Sequence, residues 1–388
     1  MDQAQLEATA RKGIDALNRG DAGAAHAAFQ AIIDIGRATP QLWALMAQAC
    51  ERLGDMVTLT QALDQMLAAD PRDILALAMK GDLFLKAGDD RAAMGWYNMA
   101  LRTAGQLQTQ GQALPPPLID RLRRAEAATA AAAERFETHL LNTIDADTGA
   151  LNPRFAESLA ILAGRREVQL QQPTSFYYPG LPQIAFYDTA DFDWVAGLEA
   201  AYPAIRAEVE AVMADPSGMA PYVQADPTRP NRGHALLDDA RWSAFHLFEA
   251  GQPVAANAAR CPATMAALEA APLPRIAGRS PMALFSILRP HTHIPPHWGM
   301  LNTRLICHLP LIVPDKCRLR VGNHERRVEP GKVLLFDDSV EHEAWNDSDA
   351  VRVILLFEVW RPELAADERA ALTRLYEAVS LYSPSEGA

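Results

Sequence analysis

Histidines are concentrated in one short stretch of the sequence. Six of the ten lie within one span of 52 positions, and they are His291, His293, His297, His308, His324 and His342. His297 comes before one predicted strand and His342 follows another. In a β-barrel built from two sheets, such distant residues can meet at one end, where two neutral imidazoles can bind Fe(II) and leave other coordination positions open. His297 and His342 are therefore predicted to form a metal site.

A lone basic residue, Arg352, stands in the apolar segment 351–357. A guanidinium that points into a barrel is costly unless it is paired, so a carboxylate partner is predicted for it. On the preceding strand, alternation places Arg304, Ile306 and His308 on one face. These side chains are candidates for the wall of the same site.

Short strands must position these residues. Apolar runs separated by Pro-Asp, Gly-Asn, Pro-Gly and Asn-Asp breaks predict strands over 282–288, 304–311, 317–321, 333–336 and 351–360. Regularly spaced short strands indicate a sandwich or a barrel. Asp337 and Asp338 follow one of these strands and are expected to organise the turn rather than to bind metal.

The first hundred residues follow a different pattern. The dipeptide Gly-Asp recurs at 20–21, 54–55 and 88–89, which is the 34-residue period of tetratricopeptide repeats. Phe29, Leu63 and Tyr97 keep the same step and predict apolar faces that stack between repeats. Residues 1–105 are therefore predicted to be helical repeats that recruit a peptide or protein, either a substrate or a partner. That they only pack on the next domain stays an open alternative.

Residues 106–174 are predicted to connect this array to the strand-rich part. A Gln-, Gly- and Pro-rich stretch that ends in Pro115-Pro116-Pro117 is typical of a stiff spacer without helix. The Ala-rich residues 118–143 predict a single helix that packs between the two halves.

Composition excludes several classes of protein. A chain of 388 residues with a net charge of −12 is long enough for two or three domains and is expected to bind neither nucleic acid nor anionic lipid. Neither Sec-dependent secretion nor a membrane span is expected from the sequence. The four cysteines form no CxxC pair, so reduced thiols and a cytoplasmic location are predicted.

Six motifs give the second half of the chain a resemblance to a known family. They are RWSAF at 241–245, FSIL at 285–288, HWGMLN at 297–302, GKVLLFDDS at 331–339, EHEAW at 341–345 and VWRPEL at 359–364. In this order they resemble the aspartyl/asparaginyl β-hydroxylases, which are Fe(II)- and 2-oxoglutarate-dependent dioxygenases. The resemblance implies an α+β multidomain chain in which a double-stranded β-helix, a jelly roll of cupin type, occupies 175–370, followed by a C-terminal helix and tail at 371–388.

The resemblance also implies roles for individual residues. His297 and His342 match the catalytic iron ligands, and Gly299 stands where most related oxygenases have a third, carboxylate ligand. The resemblance assigns Trp242, Ser286, His308 and Arg352 to binding of the cosubstrate 2-oxoglutarate, and Arg304 is added to them as a further candidate from its position on β-strand residues 304–311. The implied reaction uses O2 to hydroxylate an unactivated carbon of a peptidyl Asp/Asn-like residue or of a related small substrate.

One position departs from the family. Enzymes of the family that act on aspartate have an arginine where this chain has Ile306, although Arg304 could compensate for its loss. Two alternatives therefore stay open: a non-catalytic repeat adaptor whose barrel senses a metal or 2-oxoglutarate, and a hydroxylase of a carrier-tethered amino acid or a lipid. His293 is left open between a group that supports the site and a turn residue.

Overall fold

A computed structural model describes residues 1–144, 152–226, 233 and 235–382 of the chain. The predicted tail, 383–388, lies outside the described residues. The chain divides into two compact units, Met1–Glu167 and Val168–Ala388. Within the described ranges no helix is both long and apolar enough to cross a bilayer.

The first unit is helical. Its helices are α1 (Gln3–Asn18), α2 (Ala22–Ile33), α3 (Pro40–Leu53), α4 (Met56–Ala69), α5 (Ile74–Lys86), α6 (Asp90–Thr109), α7 (Pro116–Thr143) and α8 (Pro153–Leu162). Helices α1 to α6 pack as three successive hairpins, and α7 packs on α5 and α6. The unit is therefore tetratricopeptide-like, as its sequence period predicts.

The repeated Gly-Asp turns have the predicted structure. The glycines adopt the left-handed conformation, with φ of 82°, 74° and 78° at Gly20, Gly54 and Gly88. The following aspartates cap the second helix of each hairpin by accepting a hydrogen bond from a backbone N–H three residues on, at Asp21, Asp55 and Asp89. Glycine is favoured at the first position because it has no Cβ, and aspartate at the second because its carboxylate satisfies a free helical N–H.

Packing between the two helices of a hairpin depends on a matched pair of residues 16 positions apart. A Cβ added at Gly13 would overlap the ring of Phe29, and one at Gly81 would overlap the ring of Tyr97. The middle hairpin instead has Ala47 and the smaller Leu63, both fully buried. A large side chain therefore requires glycine opposite, whereas leucine leaves room for alanine.

The predicted spacer is helical at both of its ends, which corrects the expectation of a segment without helix, and only residues 110–115 lie outside helices. Helix α6 continues through Thr109, and α7 begins at Pro116 with Pro115 as its N-cap residue. A proline in the first turn of a helix loses no hydrogen bond, because the N–H there has no partner within the helix. A proline run can thus begin a helix as well as separate two.

The second unit contains two antiparallel sheets. Their strands are β1 (Phe186–Tyr187), β2 (Met219–Pro221), β3 (Trp242–Glu249), β4 (Gln252–Pro253), β5 (Ala283–Leu288), β6 (Thr292–His297), β7 (Arg304–Ile312), β8 (Cys317–Val321), β9 (His324–Arg327), β10 (Leu334–Phe336), β11 (His342–Asn346) and β12 (Arg352–Trp360). The larger sheet has the order β1-β10-β7-β12-β5-β3-β2, with β4 beside β3, and the smaller one has the order β6-β11-β8-β9. The predicted fold class, helical repeats followed by a two-sheet jelly-roll domain, is confirmed.

Helices cover parts of this unit. They are α9 (Val195–Ala200), α10 (Tyr202–Ala214), α11 (Ala255–Ala258), α12 (Pro262–Glu269) and α13 (Ala366–Tyr382), together with a 3-10 turn at Thr189–Asp191. The C-terminal helix α13 begins five residues before the predicted position 371. Alternation along β7 separates two apolar layers: Leu305 and Cys307 face the layer that α9, α10 and α12 cover, whereas Ile306 faces the space between the sheets.

The five predicted strands agree with the observed ones to within one residue at either end. Three strands that carry site residues, β3, β6 and β11, were not predicted. His297 precedes β7 and His342 follows β10, as the sequence predicts, and each residue also belongs to an unpredicted strand, since His297 ends β6 and His342 begins β11.

Candidate active site

His297 and His342 lie directly opposite each other in the smaller sheet. They are register partners in the antiparallel pair β6 and β11, and their ring centroids are 4.0 Å apart with an angle of 50° between the planes. Strand pairing therefore closes the separation of 45 positions along the chain.

A bulge in β6 turns His297 inward. Between His342 and Ala344 on β11 the register advances two residues, whereas on β6 it moves three, from His297 to Ile294. The extra residue falls at Pro295-Pro296, and prolines suit a bulge because they have no N–H to donate to the ladder. His297 and His293 consequently lie on opposite faces, although their spacing by four would place them together in a regular strand.

Backbone carbonyls orient both imidazoles. The Nδ1 of His297 lies 2.8 Å from the carbonyl oxygen of Pro295, and the Nδ1 of His342 lies 3.1 Å from that of Val340. A carbonyl only accepts, so each Nδ1 donates, and in a neutral ring this leaves Nε2 as the nitrogen that can bind a metal. Burial and the neighbouring His297 hold the pKa of His342 well below its usual value, which keeps the ring neutral.

Gly299 leaves no room for a side chain. A Cβ built there would overlap the carboxylate of Asp338, which is buried and also ion-paired to Arg304 at 3.4 Å. A carboxylate ligand at position 299, as in a three-residue iron site, is therefore sterically excluded. Asp337 has a structural role, since it accepts hydrogen bonds from Arg361 and from the Ser339 hydroxyl.

Arg352 is a fully buried cation that lacks a carboxylate partner among the described residues. It is 1% exposed, and its Nε is buried without a hydrogen-bond partner. Burial lowers its pKa to about 10, and the nearby Cys317 opposes this shift. The predicted partner is thus not supplied by the described protein, and the site fits an anionic group from outside the chain.

Two predicted cosubstrate residues are hydrogen-bonded to each other. The indole Nε1 of Trp242 donates to the hydroxyl of Ser286 at 3.1 Å. The same indole stacks on Tyr222, with centroids 4.1 Å apart, and its centroid lies 6.4 Å from that of His297. In the register of β5 and β12, Ser286 is opposite Ile354, two residues from Arg352 and on the same face. Trp242 and Ser286 therefore line the space between the imidazole pair and Arg352.

His308 lies near both ends of this space. Burial is the main cause that lowers its pKa well below the usual value, and the charges of Arg352 and His342 lower it further. Its ring contacts that of Phe336 edge-on, with centroids 4.8 Å apart. The imidazole is therefore neutral and available as a hydrogen-bond partner.

Arg304 is already paired within the protein. It forms ion pairs with the buried carboxylates of Glu358 and Asp338, and these carboxylates raise its pKa in spite of burial. Sequence reasoning missed Glu358. A signal was present, because Glu358 is six positions after Arg352 in the same apolar strand, and an even spacing places both on one face.

The remaining histidines of the cluster are distributed elsewhere. His293 pairs with Glu343 at 2.8 Å and stacks on Trp345, whereas His291 pairs with the exposed Asp349. Neither lies with His297 and His342.

Comparison with known proteins agrees with this architecture. Residues 199–362 match the family model described as aspartyl/asparaginyl beta-hydroxylase. Over 188 residues the chain is 40% identical to the ornithine lipid ester-linked acyl 2-hydroxylase of Rhizobium tropici, an alignment that covers 48% of this chain and 63% of the relative. Over 187 residues it is 35% identical to the human aspartyl/asparaginyl beta-hydroxylase, covering 48% of this chain and 23% of the relative.

Solved structures resemble the two units only in part. The tetratricopeptide domain of Sgt2 from Aspergillus fumigatus matches with 15% identity and a TM-score of 0.28, covering 34% of this chain and 82% of that one. A predicted oxalate decarboxylase from Thermotoga maritima matches with 12% identity and a TM-score of 0.21, covering 31% and 81%. Likenesses of this size carry no argument about function.

The sequence matches agree with the fold of the second unit. That unit is a two-sheet domain with an imidazole pair between its sheets. Its sequence is similar to the aspartyl/asparaginyl β-hydroxylase family. The chain spans less than two thirds of the length of these curated relatives, 63% of one and 23% of the other.

Proposed function

We propose that the chain is an Fe(II)- and 2-oxoglutarate-dependent hydroxylase, in which His297 and His342 hold the iron and Arg352 binds the distal carboxylate of 2-oxoglutarate. The observation that carries this proposal is the buried guanidinium of Arg352, whose Nε has no hydrogen-bond partner. A buried, unpaired charge is costly, and a dicarboxylic acid is a ligand that would offset that cost.

When bound, iron and 2-oxoglutarate supply the oxidation: one atom of O2 enters the succinate that forms with CO2, and the other converts a substrate C–H into C–OH. The residues of the chain bind these groups and orient them. Ser286, held by Trp242, offers its hydroxyl beside the carboxylate that Arg352 binds. Apolar side chains of both sheets, Leu284, Ile294, Leu319 and Ile354 among them, keep water from the space between the sheets.

The proposal can be tested without knowing the substrate. Under anaerobic conditions, Fe(II) chelated by a 2-oxo acid gives a visible charge-transfer band, which we expect for the wild-type protein with Fe(II) and 2-oxoglutarate. His342→Ala should abolish the band, whereas His291→Ala, at an exposed histidine of the same region, should leave it unchanged. A band that survives in His342→Ala, or that never forms in the wild type, would overturn the metal assignment.

The substrate carbon is proposed to belong to an apolar group rather than to an aspartyl side chain. Ile306 is 5% exposed in the apolar layer between the sheets, and Arg304 is engaged by Glu358 and Asp338. Arg352 binds the cosubstrate in this proposal and is therefore not free to bind a substrate. Among the described residues, no unpaired guanidinium therefore remains at this wall to bind a substrate carboxylate. The acyl chain named for the Rhizobium relative supports this choice.

A direct comparison of substrates decides between these classes. Purified protein with Fe(II), ascorbate and 2-oxoglutarate would be given an acylated aminolipid, an acyl carrier thioester or an aspartyl-containing peptide, and products would be searched for one added oxygen. Hydroxylation of an acyl chain supports the proposal, and hydroxylation of the peptide alone contradicts it. Binding of 2-oxoglutarate without any product would favour the sensor alternative.

The helical unit is proposed to recruit the substrate carrier or a partner protein. The starts or ends of α3, α5 and α7 line a groove of about 870 Å³. Its lining carries both basic and acidic residues, namely Arg52, Arg72, Arg121 and Arg124 and also Glu51, Asp70, Asp73 and Asp120. If the groove recruits an acidic carrier, Arg124→Glu should raise the KM for that carrier and leave the KM for 2-oxoglutarate unchanged. An unchanged carrier KM would indicate that the repeats only pack.

A further inference from the structure

A second group of metal-ligating side chains lies in the helical unit, outside the hydroxylase domain. It consists of His26 on α2, Cys50 on the last turns of α3 and Asp55 at the N-cap of α4. One ligand atom of each lies within 4.8 Å of those of the other two. The three residues come from the first two hairpins, so the group lies where these hairpins pack together.

The local hydrogen bonds hold the three residues in place and leave their ligand atoms available. One carboxylate oxygen of Asp55, Oδ1, accepts the N–H of Thr58 at 3.1 Å, whereas the other, Oδ2, lies 3.8 Å from the Nε2 of His26. That Nε2 is buried and has no hydrogen-bond partner. The backbone N–H of Asp55 donates to the carbonyl of Cys50 at 3.0 Å, which fixes the two residues relative to each other.

We propose that His26, Cys50 and Asp55 bind a Zn²⁺ ion, with water as the fourth ligand. Zinc favours a tetrahedral set of nitrogen, sulfur and oxygen donors at about 2.0–2.3 Å, which places neighbouring donors about 3.3–3.8 Å apart. Side-chain movements of about 1 Å bring the three atoms to that spacing. The side chains of His26 and Asp55 are 26% and 36% exposed, so one side of the site is open for water.

The charges of this donor set suit a partly buried site. Zn²⁺, a thiolate, a carboxylate and a neutral imidazole sum to zero, so the occupied site carries no uncompensated charge. On binding, the S–H bond of Cys50 is replaced by an S–Zn bond, and the proton leaves to solvent. Without metal the thiol stays protonated, because burial and the nearby Asp55 raise its pKa to about 11.

This site is chemically distinct from the imidazole pair between the sheets, which we assigned without any thiol ligand. Its occupant would join α2 of the first hairpin to α3 and α4 of the second. The expected role is therefore to fix the packing of these two repeats, independently of hydroxylation.

Cobalt(II) distinguishes the two sites, because a thiolate bound to Co²⁺ gives a charge-transfer band in the near ultraviolet and imidazole alone does not. We expect one equivalent of Co²⁺ to produce the band in the full-length protein, and Zn²⁺ to displace it. Cys50→Ala should abolish the band, and His26→Ala should weaken Co²⁺ binding by about tenfold or more. Asp55→Asn, which keeps a capping side chain, should also weaken binding by about tenfold.

Matched variants control for general effects. Cys261→Ala and Cys317→Ala, at buried thiols of the other unit, should retain the band, as should His342→Ala. Zn²⁺ should raise the thermal unfolding temperature of the wild type more than that of Asp55→Asn, while both proteins unfold at similar temperatures in chelator. Absence of the band in the wild type, its survival in Cys50→Ala, or equal stabilisation of Asp55→Asn by Zn²⁺ would overturn the proposal.

Discussion

The carboxylate of Asp338 occupies the space that a side chain at Gly299 would need. The two residues are also joined through the backbone, since the N–H of Gly299 donates to the carbonyl of Asp338 at 2.6 Å. Burial raises the pKa of the Asp338 carboxyl to about 6, although Arg304 opposes the shift. Packing against Asp338 therefore requires glycine at position 299. This requirement is separate from the absence of a carboxylate side chain there.

Replacing Gly299 by alanine should destabilise the protein by about 1–3 kcal/mol, the usual cost of overpacking a buried position. Chemical denaturation of the metal-free protein measures this directly. The three atoms nearest the added Cβ all belong to Asp338, so the loss should shrink in the double variant Gly299→Ala/Asp338→Ala, with a coupling of about 1 kcal/mol or more. Gly197→Ala is the matched control, because nothing lies within 4 Å of its added Cβ. Equal losses at 299 and 197 would contradict the overlap.

Two fully buried arginines of the second unit differ in their partners. Arg361 is ion-paired to the buried Asp337 at 2.7 Å, whereas Arg352 has no carboxylate partner among the described residues. Arg361→Met should cost about 3–5 kcal/mol, because it leaves a buried carboxylate unpaired. Arg352→Met should leave the stability without cosubstrate within about 1 kcal/mol of the wild type, since it removes an uncompensated charge.

Stabilisation by 2-oxoglutarate tests whether Arg352 binds this ligand. With Mn²⁺ in place of the oxidisable iron, 2-oxoglutarate should raise the unfolding temperature of the wild type and not that of Arg352→Met. A large destabilisation of Arg352→Met without ligand would show that the protein itself satisfies this guanidinium. Stabilisation by 2-oxoglutarate in Arg352→Met would place the dicarboxylate elsewhere.

The sequence predicts much of the fold because its signals are local. The period of Gly-Asp turns identifies three hairpins, and the breaks between apolar runs identify five strands. Position 306 is placed on the inner face by simple alternation, and the structure confirms this, since Ile306 lies between the sheets. The order of the strands within the two sheets is not encoded by these local patterns.

Other features depend on pairing that is remote in sequence. The bulge at Pro295-Pro296 changes the face of His297, and no rule of alternation along β6 alone predicts it. The pairing of Arg304 with Glu358 joins residues 54 positions apart and depends on the register between β7 and β12. Such contacts depend on which strands pair and in which register, and the local sequence does not determine either.

The matched pairs of the helical hairpins give a separate prediction. Gly13→Ala should destabilise the helical unit by about 1–3 kcal/mol, because the Cβ overlaps the ring of Phe29. Adding Phe29→Leu recreates the Ala47 and Leu63 combination of the middle hairpin, so the double variant should recover about 1 kcal/mol relative to the sum of the single changes. Gly105→Ala, whose added Cβ meets nothing within 4 Å, should be neutral or stabilising. Additive effects of Gly13→Ala and Phe29→Leu would exclude this size matching.

Ile306 is the position where the choice of substrate can be tested most directly. Ile306→Arg places a guanidinium opposite Glu358, its register partner on β12, so the added charge has a carboxylate nearby. If the substrate carbon belongs to an apolar chain that passes residue 306, this variant should lower acyl hydroxylation by about tenfold or more, because the chain must displace a charged group. Ile306→Met, of similar size and uncharged, should keep acyl hydroxylation within about threefold of the wild type.

The charge-transfer band of Fe(II) with 2-oxoglutarate should persist in both variants at position 306, which separates substrate binding from assembly of the iron site. Unchanged acyl hydroxylation in Ile306→Arg would show that the substrate does not pass this residue.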